Sequence, residues 1–312
     1  MSNCELHCNS DAPLTRWLVE TGFITDFTVI DVGVRGGFHP KWDALGAAFR
    51  GYGFDLFIDA IDPLPKGTNL HYFLMALGEK DGTTEVVNEA YESMMYGGVP
   101  PAGKIAHEVQ VRKLDTLFVD GLVPCADFIK LDCEGFERYV LDGAENYLEA
   151  CDLIGVETES SFNLSFHNPL TQFVHAQLPL AKQRLALFDI QMQRLPEGLP
   201  MGVHRPSTLN ALFARNFVDE LLSPANYAFR PPVHSPSPES ILKCAIVLEL
   251  HCLVGSAFLL LNAFEEQLRG VIDLTKAKYH LTSSRIATNS SHMSGMDLIR
   301  EIRSRIRRRM DF

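Results

Sequence analysis

Two stretches of this chain gather residues that could do chemistry. In one, Asp132 and Glu134 follow the short apolar run of Phe128, Ile129 and Leu131, and Gly135 then lets the chain turn. In the other, Asp31, Gly33 and Gly37 form an Asp-x-Gly-x-x-x-Gly turn with Arg35 inside it. Carboxylates in such turns can accept hydrogen bonds from hydroxyls, hold a cationic group, or take a proton as a general base. A third acid, Asp62, closes the run LFIDAIDP, where a carboxylate can accept both hydroxyls of a ribose. The structural alternative for Asp132 and Glu134 is that they cap a helix start, where negative charge meets the positive end of the helix dipole.

The elements that must position these residues are legible as patterns. Residues 27–32 are β-branched and apolar, a strand that delivers Asp31 to the glycine turn. A helix over 40–49 follows, with Trp42, Leu45 and Phe49 on its apolar face. Residues 54–61 read as a second strand, 69–77 as a third, and 78–82 as a hairpin turn into 84–87. Residues 91–98 read as a polar loop. The run 128–131 is a central strand, and Phe136, Val140, Leu141, Ala144 and Leu148 form one apolar stripe on the helix behind it. Residues 151–157 make a fifth buried strand that ends on Glu157. In an open α/β sheet, ligands sit beyond the carboxyl ends of such strands. His39, His107 and His167 fall on expected loops and are further base candidates, or simply solvated histidines.

Composition narrows the ligand. The chain has 312 residues, enough for one sizeable domain and an appendage, and its net charge of −11 argues against a nucleic-acid-binding body. Residues 270–312 hold nine Lys/Arg and four Asp/Glu, a net of +5, so the preceding 269 residues carry −16. A body that acidic suits a cationic small ligand better than a polyanion. A dinucleotide fingerprint needs glycine where Arg35 stands, so NAD is not expected. Seven scattered cysteines form no Cys-x-x-Cys pair, and the first thirty residues lack an apolar signal core. A reducing cytoplasm is the expected compartment.

The organisation expected is a lead-in over 1–25, a main domain over 26–222, a Pro/Ser-rich linker over 223–240 and a helical extension over 241–312. Within the extension, 241–268 reads as one long apolar helix, buried against the body or a second copy of the chain. Glu249 and His251 make it a poor membrane span. Residues 294–312 read as a basic amphipathic helix with Ile299, Ile302, Ile306 and Met310 on its stripe. It suits peripheral contact with an anionic membrane or an acidic protein surface.

With these strands in place, the chain resembles the FkbM family of methyltransferases. VIDVGVRGGF (29–38) is similar to the family's first motif, in which Asn is usual at the place of Arg35. AIDP (60–63) resembles the second, VRKLDTL (111–117) the third, and FIKLDCEGFERYVLDGA (128–144) the most diagnostic one. LIGVETE and ALFARN resemble the closing strands, so the likeness spans about 26–217. The resemblance implies a class I methyltransferase fold, a mostly parallel seven-stranded sheet with helices on both faces. It also implies S-adenosylmethionine as cofactor and O-methylation of a sugar, glycan unit or secondary metabolite. On that reading Asp31, Gly33 and Gly37 hold the methionine end, Arg35 is a cofactor-binding residue that departs from the family pattern, Asp62 holds the ribose, and Asp132 with Glu134 line the cleft toward the acceptor. Asp132 is the first choice of general base and Glu134 the second. A divalent cation held by Asp132, Glu134 and Glu157 is an alternative use of the same carboxylates. The alternative from another class is a non-catalytic adapter that keeps the fold and binds partners through its C-terminal helices.

Overall fold

The structure is a computed structural model that describes residues 11–57, 61, 64–65, 67–89, 92–95, 106–133, 135–160, 173–194, 206–222 and 236–283. In chain order, α1 (Pro13–Glu20), β1 (Phe27–Val32), a 3-10 helix (Pro40–Ala48), β2 (Phe49–Asp55) and β3 (Leu70–Leu74) come first. Next are β4 (Ala76–Leu77), β5 (Gly82–Glu89), β6 (Glu92–Met95), β7 (Ala106–Arg112), α2 (Leu114–Val119) and β8 (Phe128–Leu131). Then follow α3 (Glu137–Asp142), α4 (Glu145–Ala150), β9 (Gly155–Ser160), α5 (Phe173–Lys182), β10 (Leu185–Arg194) and β11 (Pro206–Arg215). The chain continues through α6 (Phe217–Leu222), α7 (Pro238–Leu250), α8 (Val254–Ala263), α9 (Glu265–Leu268) and α10 (Leu274–Ser283).

Seven strands form one sheet in the order β10-β11-β9-β8-β1-β2-β3. The pairs β1–β8, β8–β9 and β2–β3 are parallel and β9–β11 is antiparallel. This is the mostly parallel seven-stranded sheet expected of a class I methyltransferase. Successive strands leave β1 in one direction toward β3 and resume at β8 in the other, so the order reverses between β1 and β8. Such a switch point opens a crevice at the carboxyl ends of the two strands. A smaller sheet, β4-β7-β5-β6, is built from the segment between β3 and β8. Residues 92–95 are a strand of it, where the sequence suggested loop.

The chain divides into two compact units. The first, residues 28–38 and 50–214, holds both sheets. Its core joins Ile30, Phe54, Ile129, Leu131, Val156 and Phe213 of the large sheet to Leu114, Val140, Leu148 and Leu180 of the helices. Within it the expected single helix after Gly135 is two, α3 and α4. Gly143 separates them, and glycine is required there because a Cβ would run into the carbonyl oxygen of Gly78. Asp115 N also donates to the Gly143 carbonyl at 3.0 Å. Cys125 and Cys151 are bonded to each other across 26 residues, closing a loop that contains β8 and the acids after it. Closing a loop of that length constrains the unfolded chain by about 3–4 kcal/mol. A reducing cytoplasm would tend to open this bond.

The second unit comprises residues 11–27, 39–49 and those from Arg215 onward. Here the expected long helix over 241–268 is corrected. It breaks after α7 at His251–Leu253, where Cys252 takes a φ of 59°, and resumes as α8 and α9. Arg215 and Glu220 make a buried bidentate pair, Nε to Oε1 at 3.0 Å and Nη2 to Oε2 at 3.2 Å. Lys41 Nζ donates to His251 Nε2 at 3.0 Å, which leaves Nδ1 protonated to donate to the Val247 carbonyl at 2.7 Å. No described helix is long and apolar enough to cross a membrane. The basic tail over 294–312 lies outside the described residues.

Helix α1 begins without a side-chain cap of its own, since Ala12 precedes it. Its free amides are satisfied from far along the chain: Glu249 accepts from Leu14 N at 2.9 Å, Thr15 N at 2.7 Å and Thr15 Oγ1 at 2.7 Å. This also explains a charged residue in the middle of an apolar helix. Glu249→Ala strands three buried donors at about 1–3 kcal/mol each. The expected cost is roughly 3 kcal/mol or more, a melting temperature lower by about 6–12 °C. Scanning calorimetry of the variant checks this, and a drop below about 2 °C would show that water replaces the carboxylate.

Candidate active site

The site is assembled where β1 and β8 lie side by side, with Asp31 opposite Lys130 and Val32 opposite Leu131. After β1 the chain turns at Gly33, φ 89°, whose N–H donates to the Phe54 carbonyl at 2.9 Å. A Cβ on Gly33 would strike the carbonyl oxygen of Asp132, so the two turns press together backbone to backbone. Asp132 N in turn donates to the Val32 carbonyl at 3.0 Å. Gly37, φ 94°, closes the first turn through its N–H to the Val34 carbonyl at 2.8 Å. Arg35 is exposed and its guanidinium carbon lies 5.5 Å from the Phe57 ring centroid, a cation–π contact. It ties the turn after β1 to the turn after β2.

Registered neighbours in a parallel sheet point to the same face, which sets Asp31, Lys130 and Glu157 in one row across three strands. Lys130 Nζ is 3.1 Å from Asp132 Oδ2 and 3.5 Å from Asp31 Oδ1. Side-chain exposure rises along this chain of charges, from 2% at Asp31 through 19% at Lys130 to 43% at Asp132. Asp132 is therefore the member that meets solvent, and Asp31 the one held inside. Burial pushes the Asp31 carboxyl above the usual carboxylate range, and the Lys130 ammonium opposes that push. For Lys130 burial works to discharge the ammonium, but the carboxylates of Asp31, Asp132 and Glu157 outweigh it and hold the group well above its ordinary value. The sequence reading passed over Lys130, although a lone lysine in a buried strand signals a charge with buried partners.

The extent of strand two is a correction. β2 runs from Phe49 to Asp55, several residues earlier than expected, and its closing carboxylate is Asp55. Asp55 is nearly buried, and its Oδ1 accepts from Leu56 N at 2.7 Å and Phe57 N at 3.2 Å. Two of the apolar residues that suggested a later strand, Leu56 and Phe57, belong to a second small core with Val86 and Val109 of the smaller sheet. Asp62 lies outside the described residues, and so does Glu134. On β3, Tyr72 stands opposite Gly53, whose missing side chain leaves room between Val34 and the Tyr72 ring. Burial and the Asp31 carboxylate both raise the Tyr72 hydroxyl's affinity for its proton, so it sits in the field of Asp31.

A second residue missed from the sequence is Glu137, in the first turn of α3. Its Oε1 accepts from Cys133 N at 3.0 Å and Gly135 N at 3.3 Å, which fixes the turn carrying Asp132. Burial, reinforced by Asp132 and opposed by those amides, pushes its carboxyl up to about 7. A raised carboxyl binds a proton in the folded state before it does in the unfolded one. The stability it contributes is therefore complete below about pH 4.5 and lost as pH rises through about 7. The loss amounts to roughly 3 kcal/mol. Glu137→Gln keeps the acceptor oxygen and removes the titration, so its stability should lack this decline. Urea titrations of both proteins from pH 4.5 to 8 test it, and parallel pH profiles would refute it.

Of the histidines, His39 accepts from Lys41 N at 3.0 Å and serves the start of the 3-10 helix. His107 is exposed on β7, and His167 lies outside the described residues. Among the described residues, no group of three or more His, Cys, Asp or Glu is arranged to hold a metal ion.

Residues 57–185 match the methyltransferase FkbM domain. This chain carries an FkbM methyltransferase domain. The match takes in Lys130, Asp132, Glu137 and Glu157, while the glycine turn and Asp55 lie just ahead of it. The methyl donor of such a domain is S-adenosylmethionine. No curated protein sequence matches the chain. Among solved structures, the chain is similar to magnesium protoporphyrin IX methyltransferase from Synechocystis PCC 6803 with bound SAM. Identity is 11% over 66% of this chain and 78% of that one, with a TM-score of 0.33. It is also similar to N-methyltransferase NodS from Bradyrhizobium japonicum WM9, at 9% identity over 65% and 93% of the two chains and a TM-score of 0.32. Precorrin-6y C5,15-methyltransferase from Geobacter metallireducens GS-15 gives 10% identity over 66% and 86%, with a TM-score of 0.33. At such scores these likenesses add nothing to the strand order and the FkbM match.

Proposed function

We propose that the protein is an S-adenosylmethionine-dependent O-methyltransferase acting on a hydroxyl of a sugar, glycan unit or secondary metabolite. The observation that carries this reading is Asp132. It is a partly exposed carboxylate at the switch point, braced by Lys130, in the turn that Gly33 packs against.

The chain's residues fit the cofactor. Gly33 and Gly37 keep side chains out of the turn after β1, and at Gly36 a Cβ would meet open space. Asp31 supplies negative charge beneath the methionine end. Asp55, rather than Asp62, stands at the carboxyl end of β2 to accept from the ribose hydroxyls. When bound, S-adenosylmethionine supplies an electrophilic methyl group on a sulfonium. The protein's own part is mostly alignment, and holding an acceptor oxygen in line can be worth on the order of 7–11 kcal/mol. Asp132 takes the hydroxyl proton on a carboxylate oxygen as the oxygen attacks, an assistance worth about 10²–10⁴-fold.

Incubation with methyl-labelled S-adenosylmethionine and a panel of hydroxylated acceptors tests the reading. Label should appear as a methyl ether on oxygen. Label found only on nitrogen or carbon would redirect the assignment to another methyltransferase class.

A further inference from the structure

Lys130 is left over by this chemistry, yet its place is the most constrained in the site. Its ammonium touches the inner carboxylate, Asp31, at 3.5 Å and the outer one, Asp132, at 3.1 Å, with Glu157 in register beside it on β9. We propose that Lys130 is a positioning residue: its ammonium balances the Asp31 carboxylate beneath the cofactor and steers Asp132 toward the acceptor. The proposal rests on the methyltransferase reading above.

Without the ammonium, Asp31 would be buried among like charges. The groups that face it are Lys130 on β8, Asp132 in the turn after β8, Glu157 on β9 and the Tyr72 hydroxyl on β3. The first is the cation in that set, and two of the remaining three are carboxylates. A buried carboxylate that loses its counter-charge picks up a proton instead. A neutral Asp31 cannot attract the α-ammonium of a methionine-derived ligand. Lys130 thus sets the pH range over which the cofactor site is usable, while Asp132 is the group that reacts.

The test is the affinity for S-adenosylhomocysteine, measured by calorimetry between pH 5 and 8 for the wild type, Lys130→Met and Lys130→Arg. Binding weakens as pH falls and Asp31 protonates. In Lys130→Met the midpoint of that weakening should rise by about 1–3 pH units, the shift an opposite charge at this range produces. Lys130→Arg should stay near the wild-type midpoint because it keeps the charge. A Lys130→Met protein that is merely less stable, with an unshifted midpoint, overturns the proposal. Should Lys130→Met fail to fold, adding Asp31→Asn and Glu157→Gln must restore folding, since both buried carboxylates beside it are then neutral; failure of that combined variant overturns it too. A wild type that binds at no pH would instead refute the methyltransferase reading itself.

Discussion

Replacing Asp55 with alanine should weaken S-adenosylhomocysteine binding by about 10²–10⁴-fold. β2 ends on this carboxylate, one strand away from the glycine turn, where an adenosine's ribose would lie. Two charge-assisted hydrogen bonds to the ribose hydroxyls at about 1.5–3 kcal/mol each give roughly 3–6 kcal/mol. At 1.4 kcal/mol per decade this is the stated range. Asp55 also accepts from Leu56 N and Phe57 N, so part of the loss in the alanine variant comes from a looser turn. Asp55→Asn keeps an oxygen for those amides and isolates the ribose contribution. Asp62→Ala should change affinity much less. Unchanged affinity in both Asp55 variants would sink the ribose assignment.

Asp132→Ala should lower kcat by about 10²–10⁴-fold with the affinity for S-adenosylhomocysteine changed only a few-fold. The split follows from position. Asp132 is the exposed end of the charge row, on the acceptor side, and the glycine turn meets its backbone rather than its side chain. The alanine Cβ preserves that backbone contact. Steady-state rates with an acceptor that carries the free hydroxyl, alongside a donor titration, separate the two effects. A variant with intact kcat would move the base to another group, and one that lost donor binding as well would show that the turn had collapsed.

The centre of this site was legible because its signals are local. A β-branched strand running into glycines, and an apolar run ending on an acid, both mark strand ends, and β1 and β8 end where expected. The end of β2 was misread because Leu56 and Phe57 look like strand while they fill a separate core with Val86 and Val109. The apolar stripe after Gly135 hid a break at Gly143, where the Gly78 backbone leaves no room for a side chain. The run over 241–268 hid another at Cys252. No pattern in sequence could announce that Glu249 caps a helix more than two hundred residues earlier. The Cys125–Cys151 bond was equally hidden, since spacing alone does not choose partners among seven cysteines. Lys130 was in plain view, but its meaning came from three carboxylates, on β1, on β9 and in the turn after β8.

The decisive measurement is a calorimetric titration of the full chain with S-adenosylhomocysteine at pH 7, with NAD as the comparison. Saturable one-to-one binding of S-adenosylhomocysteine, lost in Asp55→Ala, is expected, together with no useful binding of NAD because Arg35 interrupts the dinucleotide turn. Absence of binding by the folded wild type, or tight binding of NAD in its place, would contradict a methyltransferase site at the ends of β1, β2 and β8.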